Sequence, residues 1–200
     1  MSEVKKSKIL TAARSVFLRY GYKRVSMSDI AEAAAVSRPA LYVLFKNKEE
    51  IFISVFLQWV DETVTALQKE MAKLEAPEQQ LMCAFELWTV QSFEMMRSSP
   101  EAKELLECGF EFAQDSLKQG YKMFEAAIAP VVARLAERHP PSTRMAPERI
   151  AHVLASAALG FKQTAVKAVE LRLLIENLLV LAFGLGEDAF PKHGRMRRRA

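Results

Sequence analysis

The sequence predicts an all-α protein, and three observations lead there. No run of residues alternates apolar and polar side chains as a half-buried strand does. Apolar residues instead recur every three or four positions in one segment after another, which is the spacing of a helix face. Proline and glycine fall mostly at the ends of those segments. With 200 residues, half of them hydrophobic, the chain can supply a small amino-terminal module and a larger helical body with its own core.

The first helix carries Ile9, Ala12, Ala13, Val16, Phe17 and Tyr20 on one face and stops at Gly21, a residue suited to a helix carboxy terminus. Ser26 can cap a second helix, because its hydroxyl accepts from the next turn and Asp29 lies three residues on, the spacing of a capping box. Ile30, Ala31 and Ala34 share one face, and the small Ala31 lets another helix cross closely. The chain turns at Ala34-Ala35-Val36 and restarts at Ser37, a second cap, while Pro39 is harmless in a first turn. Val36 and Leu41 point inward. Two short helices joined by a tight turn, covered by an amphipathic helix, form a helix-turn-helix, which places one helix in a DNA groove.

Read together, ILTAARSVFLRYGYKRVSMSDIAEAAAVSRPALYVLFKNKEEIF resembles the amino-terminal DNA-binding domain of the TetR family of bacterial transcriptional regulators. The resemblance covers roughly residues 8 to 55 and combines several features: Tyr20-Gly21 at a helix end, the DIAEAA helix, the Val-Ser turn, Leu41-Tyr42, Phe45, and Lys48 before Glu49-Glu50. Ala35 stands where the family commonly has glycine, and a left-handed alanine there costs about 1 kcal/mol. Val43 and Leu44 stand where members often carry aromatic or histidine residues that reach the DNA backbone.

Charge follows the same division. Residues 1 to 48 hold ten Lys/Arg against three Asp/Glu, a net of +7. Residues 49 to 191 hold 13 against 21, a net of −8, and residues 192 to 200 add five bases. Such a chain presents one end to phosphates. The expected organisation is a DNA-binding domain over 1-48, a helical ligand-binding and dimerisation domain over 49-190, and a basic tail over 191-200.

Within the module, Arg38 at the start of the recognition helix can read guanine bidentately, or else contact phosphate. Pro39 and Ala40 offer small apolar surfaces to thymine methyls, or simply shape the helix start. Ser28 and Met27 open the preceding helix, where an amide or hydroxyl can approach DNA; Met27 can instead be packing. The resemblance implies that Tyr42 and Lys48 bind phosphates, positioning the module rather than specifying sequence.

In the body, one long helix should run from Lys48 to about Lys73, with Ile51, Phe52, Val55, Phe56, Trp59, Val60, Leu67 and Met71 as its stripe. A second runs from Pro77 to about Arg97 and is apolar nearly all round, so it is central. A short helix from Ser99-Pro100 to about Leu106 follows, then one from about Phe110 to Ala136 that Pro130 should kink or interrupt. A proline-rich connector, His139 to Ala146, leads to a helix opened by Pro147 and to a last one spanning roughly Val169 to Phe183. The small residues Ala151, Ala155, Ala158 and Gly160, followed by a leucine stripe, suit either core packing or a two-fold four-helix interface. The resemblance implies a homodimer through these two helices, binding a palindromic operator.

Trp59, Phe85, Trp88, Phe93, Met96, Phe110, Tyr121 and Phe124 could line an apolar effector cavity, or be plain core. Glu86, Glu94 and Glu111 lie in the most apolar surroundings, and a buried carboxylate needs a partner such as a cationic ligand, Arg97 or Lys162. His139, His152 and His193 are scattered, and no catalytic, metal or cofactor motif is present. Cys83 and Cys108 are too few for a disulfide scaffold and lack zinc-ligand spacing. No apolar run suffices for a membrane span or signal core, so a cytoplasmic protein is expected. The expected function is a ligand-responsive regulator, a repressor released from its operator by an apolar or amphipathic molecule. The alternative is a dimeric DNA-binding or protein-interaction module without a small ligand.

Overall fold

In chain order the helices are α1 Ser2–Tyr20, α2 Met27–Ala33, α3 Arg38–Leu44, α4 Lys48–Met71, α5 Pro77–Phe85, α6 Gln91–Ser98, α7 Pro100–Phe112, α8 Gln114–Arg138, α9 Pro147–Thr164 and α10 Ala168–Phe183, with a π-turn, Glu86–Val90, between α5 and α6. The computed structural model describes the backbone of residues 2–140, 145–186 and 189–190, and side chains there except at 2, 106, 107 and 109–112. No strand occurs among the described residues, so the predicted all-α class holds. The expected tail, 191–200, lies outside them.

Two compact units emerge, residues 1–62 with 94–121 and residues 63–93 with 122–200. Residue 48, where the motif-based division falls, is inside the first. That unit is built on one core of Ile9, Ala13, Phe17, Val25, Ile30, Ala31, Ala34, Leu41, Phe45, Ile51, Phe52 and Cys108. Phe17, Tyr22 and Phe52 meet there with ring centroids 5.1–5.8 Å apart, edge and tilted geometries that aromatic quadrupoles favour. The second unit buries Phe85, Val90, Phe124, Ile128, Val132, Leu135, Leu154, Ala158, Leu171, Ile175 and Leu179. Its buried Gln80 closes the α4–α5 loop, donating to the carbonyls of Met71 (3.2 Å) and Leu74 (2.6 Å) and accepting from Arg134.

Three predicted boundaries change. The helix expected from Pro77 to Arg97 contains a π-turn, in which the Gln91 amide bonds to the Glu86 carbonyl five residues back; a single extra residue leaves no mark on apolar periodicity. The helix opened by Pro100 continues to Phe112 rather than ending near Leu106, because Leu105 and Cys108 pack into the first unit's core. Ser99 caps it, accepting from the Ala102 amide at 3.0 Å. Pro130 does not interrupt α8. It is exposed while Ala129, Val131 and Val132 beside it are buried, and their packing outweighs the hydrogen bond that proline forfeits.

Candidate functional site

The helix-turn-helix forms where its caps place it. Ser26 Oγ accepts from the Asp29 amide at 3.3 Å while Asp29 Oδ2 accepts from the Ser26 amide at 2.7 Å. The Ser26 amide, together with the Ser26 hydroxyl, which donates to the same oxygen at 2.7 Å, holds the Asp29 carboxyl below its ordinary pKa. At the turn Ala35 adopts φ 52°, a left-handed conformation, and the Val36 amide reaches back to the Ala31 carbonyl at 2.9 Å. Ser37 Oγ then accepts from the Ala40 amide at 3.3 Å and starts α3. Leu41 anchors that helix in the core, fully buried. Its opposite side carries Arg38, Pro39 and Tyr42, all exposed, with Ala40 half-buried between them. Val43 is 83% exposed, while Leu44 packs against the core.

Met27 also packs against the core, which is the packing role left open for it, and Ser28 is half-buried. Lys48 is engaged within the protein. Its Nζ donates to the carbonyls of Tyr22 and Val25, both at 2.8 Å, and lies 4.1 Å from the Tyr22 ring centroid. Burial holds its pKa below the ordinary lysine value, against the opposing pull of Cys108 and Glu104. The same loop is held a second time by α7, where Glu104 Oε1 accepts from the Lys23 amide at 2.7 Å.

The residues expected around an effector divide between the units. Trp59, Met96 and Tyr121 belong to the first, and Phe85, Trp88, Phe93 and Phe124 to the second; the Phe110 side chain lies outside the described residues. In the second unit Trp88 stacks on Phe124 at 5.0 Å and Phe85 meets Phe124 edge-on at 5.4 Å. In the first, Trp59 pairs with Phe56 at 6.0 Å, and burial pushes the Tyr121 phenol up to about 12. A shallow groove of about 430 Å³ between α1 and α2 is lined by Lys8, Thr11, Ala12, Ser15, Val16 and Ala33, none of them in the expected set. Glu86 has a partner the sequence did not name: both its oxygens accept from Arg172, at 2.7 and 2.8 Å. Glu94 is exposed, and the Glu111 side chain lies outside the described residues. Cys83 is half-buried and Cys108 buried.

A family model described as bacterial regulatory proteins, tetR family, matches residues 9–55. The amino-terminal module belongs to the TetR family. The HTH-type transcriptional activator FasR of Mycolicibacterium smegmatis is 33% identical over 82 residues, 41% of this chain and 37% of that protein. The chain thus matches about a third of the length of the first curated relatives. Among solved structures, a TetR-family transcriptional regulator from Pectobacterium atrosepticum superposes with a TM-score of 0.70 at 22% identity, covering 92% of this chain and 95% of that one. The Thermus thermophilus repressor FadR, in complex with lauroyl-CoA, superposes with a TM-score of 0.62 at 21% identity, covering 95% and 100%. The TetR-family fold therefore extends over nearly the whole chain.

Within the TetR-type module, the sequence indicated Arg38, Pro39 and Ala40 by their place at the start of α3 and Tyr42 by the family resemblance. It gave no sign of Glu104, which lies 81 residues from its partner Lys23 and carries no local signal. No helix among the described residues is long and apolar enough to cross a membrane.

Proposed function

We propose that the chain is a homodimeric, sequence-specific DNA-binding regulator of transcription, a repressor whose hold on a palindromic operator weakens when a small apolar or amphipathic molecule binds its helical body. The observation that carries this reading is the outer side of α3: Arg38, Pro39 and Tyr42 stand free on a helix whose other side is locked by Leu41. Arg38 reads a base, Pro39 and Ala40 meet apolar groove edges, and Tyr42 binds a phosphate. Met27 and Ser28 set the start of α2 against the backbone, and Lys48 offers its charge to phosphate while bracing the loop ahead of α2.

Dimerisation is supported by the apolar groups that α9, α10 and the connection between them leave in solvent, Val153, Val166, Val169, Leu173 and Leu181. Val169 and Leu173 lie one turn apart on the same side of α10, as an interhelical contact requires. A single module makes few contacts, whereas two tied by symmetry gain from effective concentration. Ligand and operator oppose each other by linkage, each weakening the other's binding equally.

A second reading, a dimeric DNA-binding or protein-interaction module with no small ligand, draws on the tight packing of Phe85, Trp88 and Phe124. Selection of duplexes from a random pool at about 150 mM salt, where nonspecific phosphate attraction is weakened, tests the DNA-binding claim common to the regulator and to that module. Enrichment of a two-fold palindrome is expected; an unenriched pool would overturn it.

A further inference from the structure

Lys162 breaks the pattern of its own helix. Along α9 the core side is made of Ile150, Ala151, Leu154, Ala155 and Ala158, all buried, and its last turn continues that side with Phe161 and then, one turn beyond Ala158, with the charged Lys162. Places where a sequence departs from its own binary pattern are commonly functional. Its ammonium donates to Ser92 Oγ at 2.9 Å. Ser92 is itself buried, and its hydroxyl is held by the carbonyls of Trp88 and Thr89, both in the π-turn. Ser92 is neutral, and among the described residues no carboxylate pairs with Lys162.

The carboxylate that the π-turn does carry is committed elsewhere, since Glu86 gives both oxygens to Arg172. Buried charges are as a rule paired, and π-turns occur frequently at functional sites. Trp88, on the same π-turn whose carbonyls hold Ser92, is buried and stacked on Phe124, so the interior beside Ser92 is apolar. We propose that Lys162 is the head-group anchor of the effector site, and that the effector is an amphiphile with one carboxylate and an apolar body. One ammonium with one neutral neighbour matches a monoanion; a phosphate dianion calls for more donors, as arginine forks provide. Burial holds Lys162 down to about 8, so the ammonium remains mainly charged at neutral pH and available to an anion.

The proposal rests on the reading that the body binds an effector, and the test separates the two. The 200-residue chain is titrated with decanoate and with methyl decanoate, following the fluorescence of its two tryptophans, for the unsubstituted protein, K162M and K162R. The unsubstituted protein should prefer decanoate to its ester by about tenfold or more. K162M, which keeps length and apolarity, should lose that preference while retaining the ester, and K162R should restore much of it. Equal decanoate binding by K162M, no preference for the acid, or binding of inorganic phosphate in place of decanoate would overturn the anchor. If the protein selects its duplex yet binds neither probe, the anchor fails and the DNA-binding reading stands. If no duplex is selected, that reading fails while the titrations still judge Lys162.

Discussion

Lys48 holds Tyr22 twice, by a 2.8 Å hydrogen bond to its carbonyl and by an ammonium 4.1 Å from its ring centroid. A lysine at the first position of α4 thereby fixes the loop that delivers α2. The side chain proposed to offer its charge to DNA is also part of the module's frame. Lys48→Met should cost roughly 2 kcal/mol of stability, since hydrogen bonds from charged groups contribute more than neutral ones. It should weaken all duplexes alike, leaving the preferred sequence unchanged and flattening the salt dependence by about one phosphate contact. Thermal unfolding, with binding measured on matched and mismatched duplexes, checks both; a changed base preference would contradict the positioning role.

At the turn, Ala35→Gly should stabilise the module by about 1 kcal/mol. Alanine at φ 52° bears a steric cost that glycine does not, partly offset by the greater freedom glycine has when unfolded. Denaturant unfolding should show a higher midpoint at unchanged slope, and a lower midpoint would mean that the alanine methyl makes a favourable contact outweighing the strain.

Stability should depend on Lys162 in the alkaline range. Its folded pKa of about 8 lies below its unfolded value of 10.5, so between these values the unfolded chain holds a proton that the folded chain has released. Stability therefore rises with pH across that window, and the burial penalty is fully present below it. Lys162→Met should abolish the slope and raise stability at pH 7 by up to about 3 kcal/mol, less roughly 1 kcal/mol for the Ser92 hydrogen bond. Unfolding curves for both proteins from neutral to alkaline pH decide it, and parallel curves would refute the assignment.

On α10, Leu173→Glu should separate the dimer. The side chain is exposed in the isolated chain, one turn from Val169, so the substitution costs the monomer little and places like charges together across the proposed two-fold axis. Sedimentation should show monomer, and affinity for a palindrome should fall about a hundredfold. A dimer of unchanged affinity would move the interface elsewhere.

What the sequence made legible was local. Ser26 with Asp29, Ser37 with Ala40, and Gly21 at a helix end are read within three or four residues, and each stands in the structure as its chemistry requires. The exposed side of α3 followed from the cap at Ser37 and from Leu41 pointing inward. Partners far apart in the chain were not legible: Glu86 was offered Arg97, Lys162 or a ligand and took Arg172, 86 residues away. Lys162 found Ser92 across 70 residues, a pairing that only the packing of α9 beside the π-turn creates. The π-turn itself was hidden, because its one extra residue falls among side chains apolar on nearly every side. Pro130 was weighed for its backbone cost without the buried neighbours that override it.

The π-turn also gives the α5–α6 rod one site that can change length. Elsewhere along it, removing one residue would swing all that follows by about 100° and turn the buried side outward. Between Glu86 and Val90 the wide turn can contract to an ordinary one and absorb the loss. Ser92 would stay opposite Lys162, and only the local bulge would vanish. The segment thus behaves like an insertion accommodated in place, tolerant of a deletion that the surrounding helix would not survive.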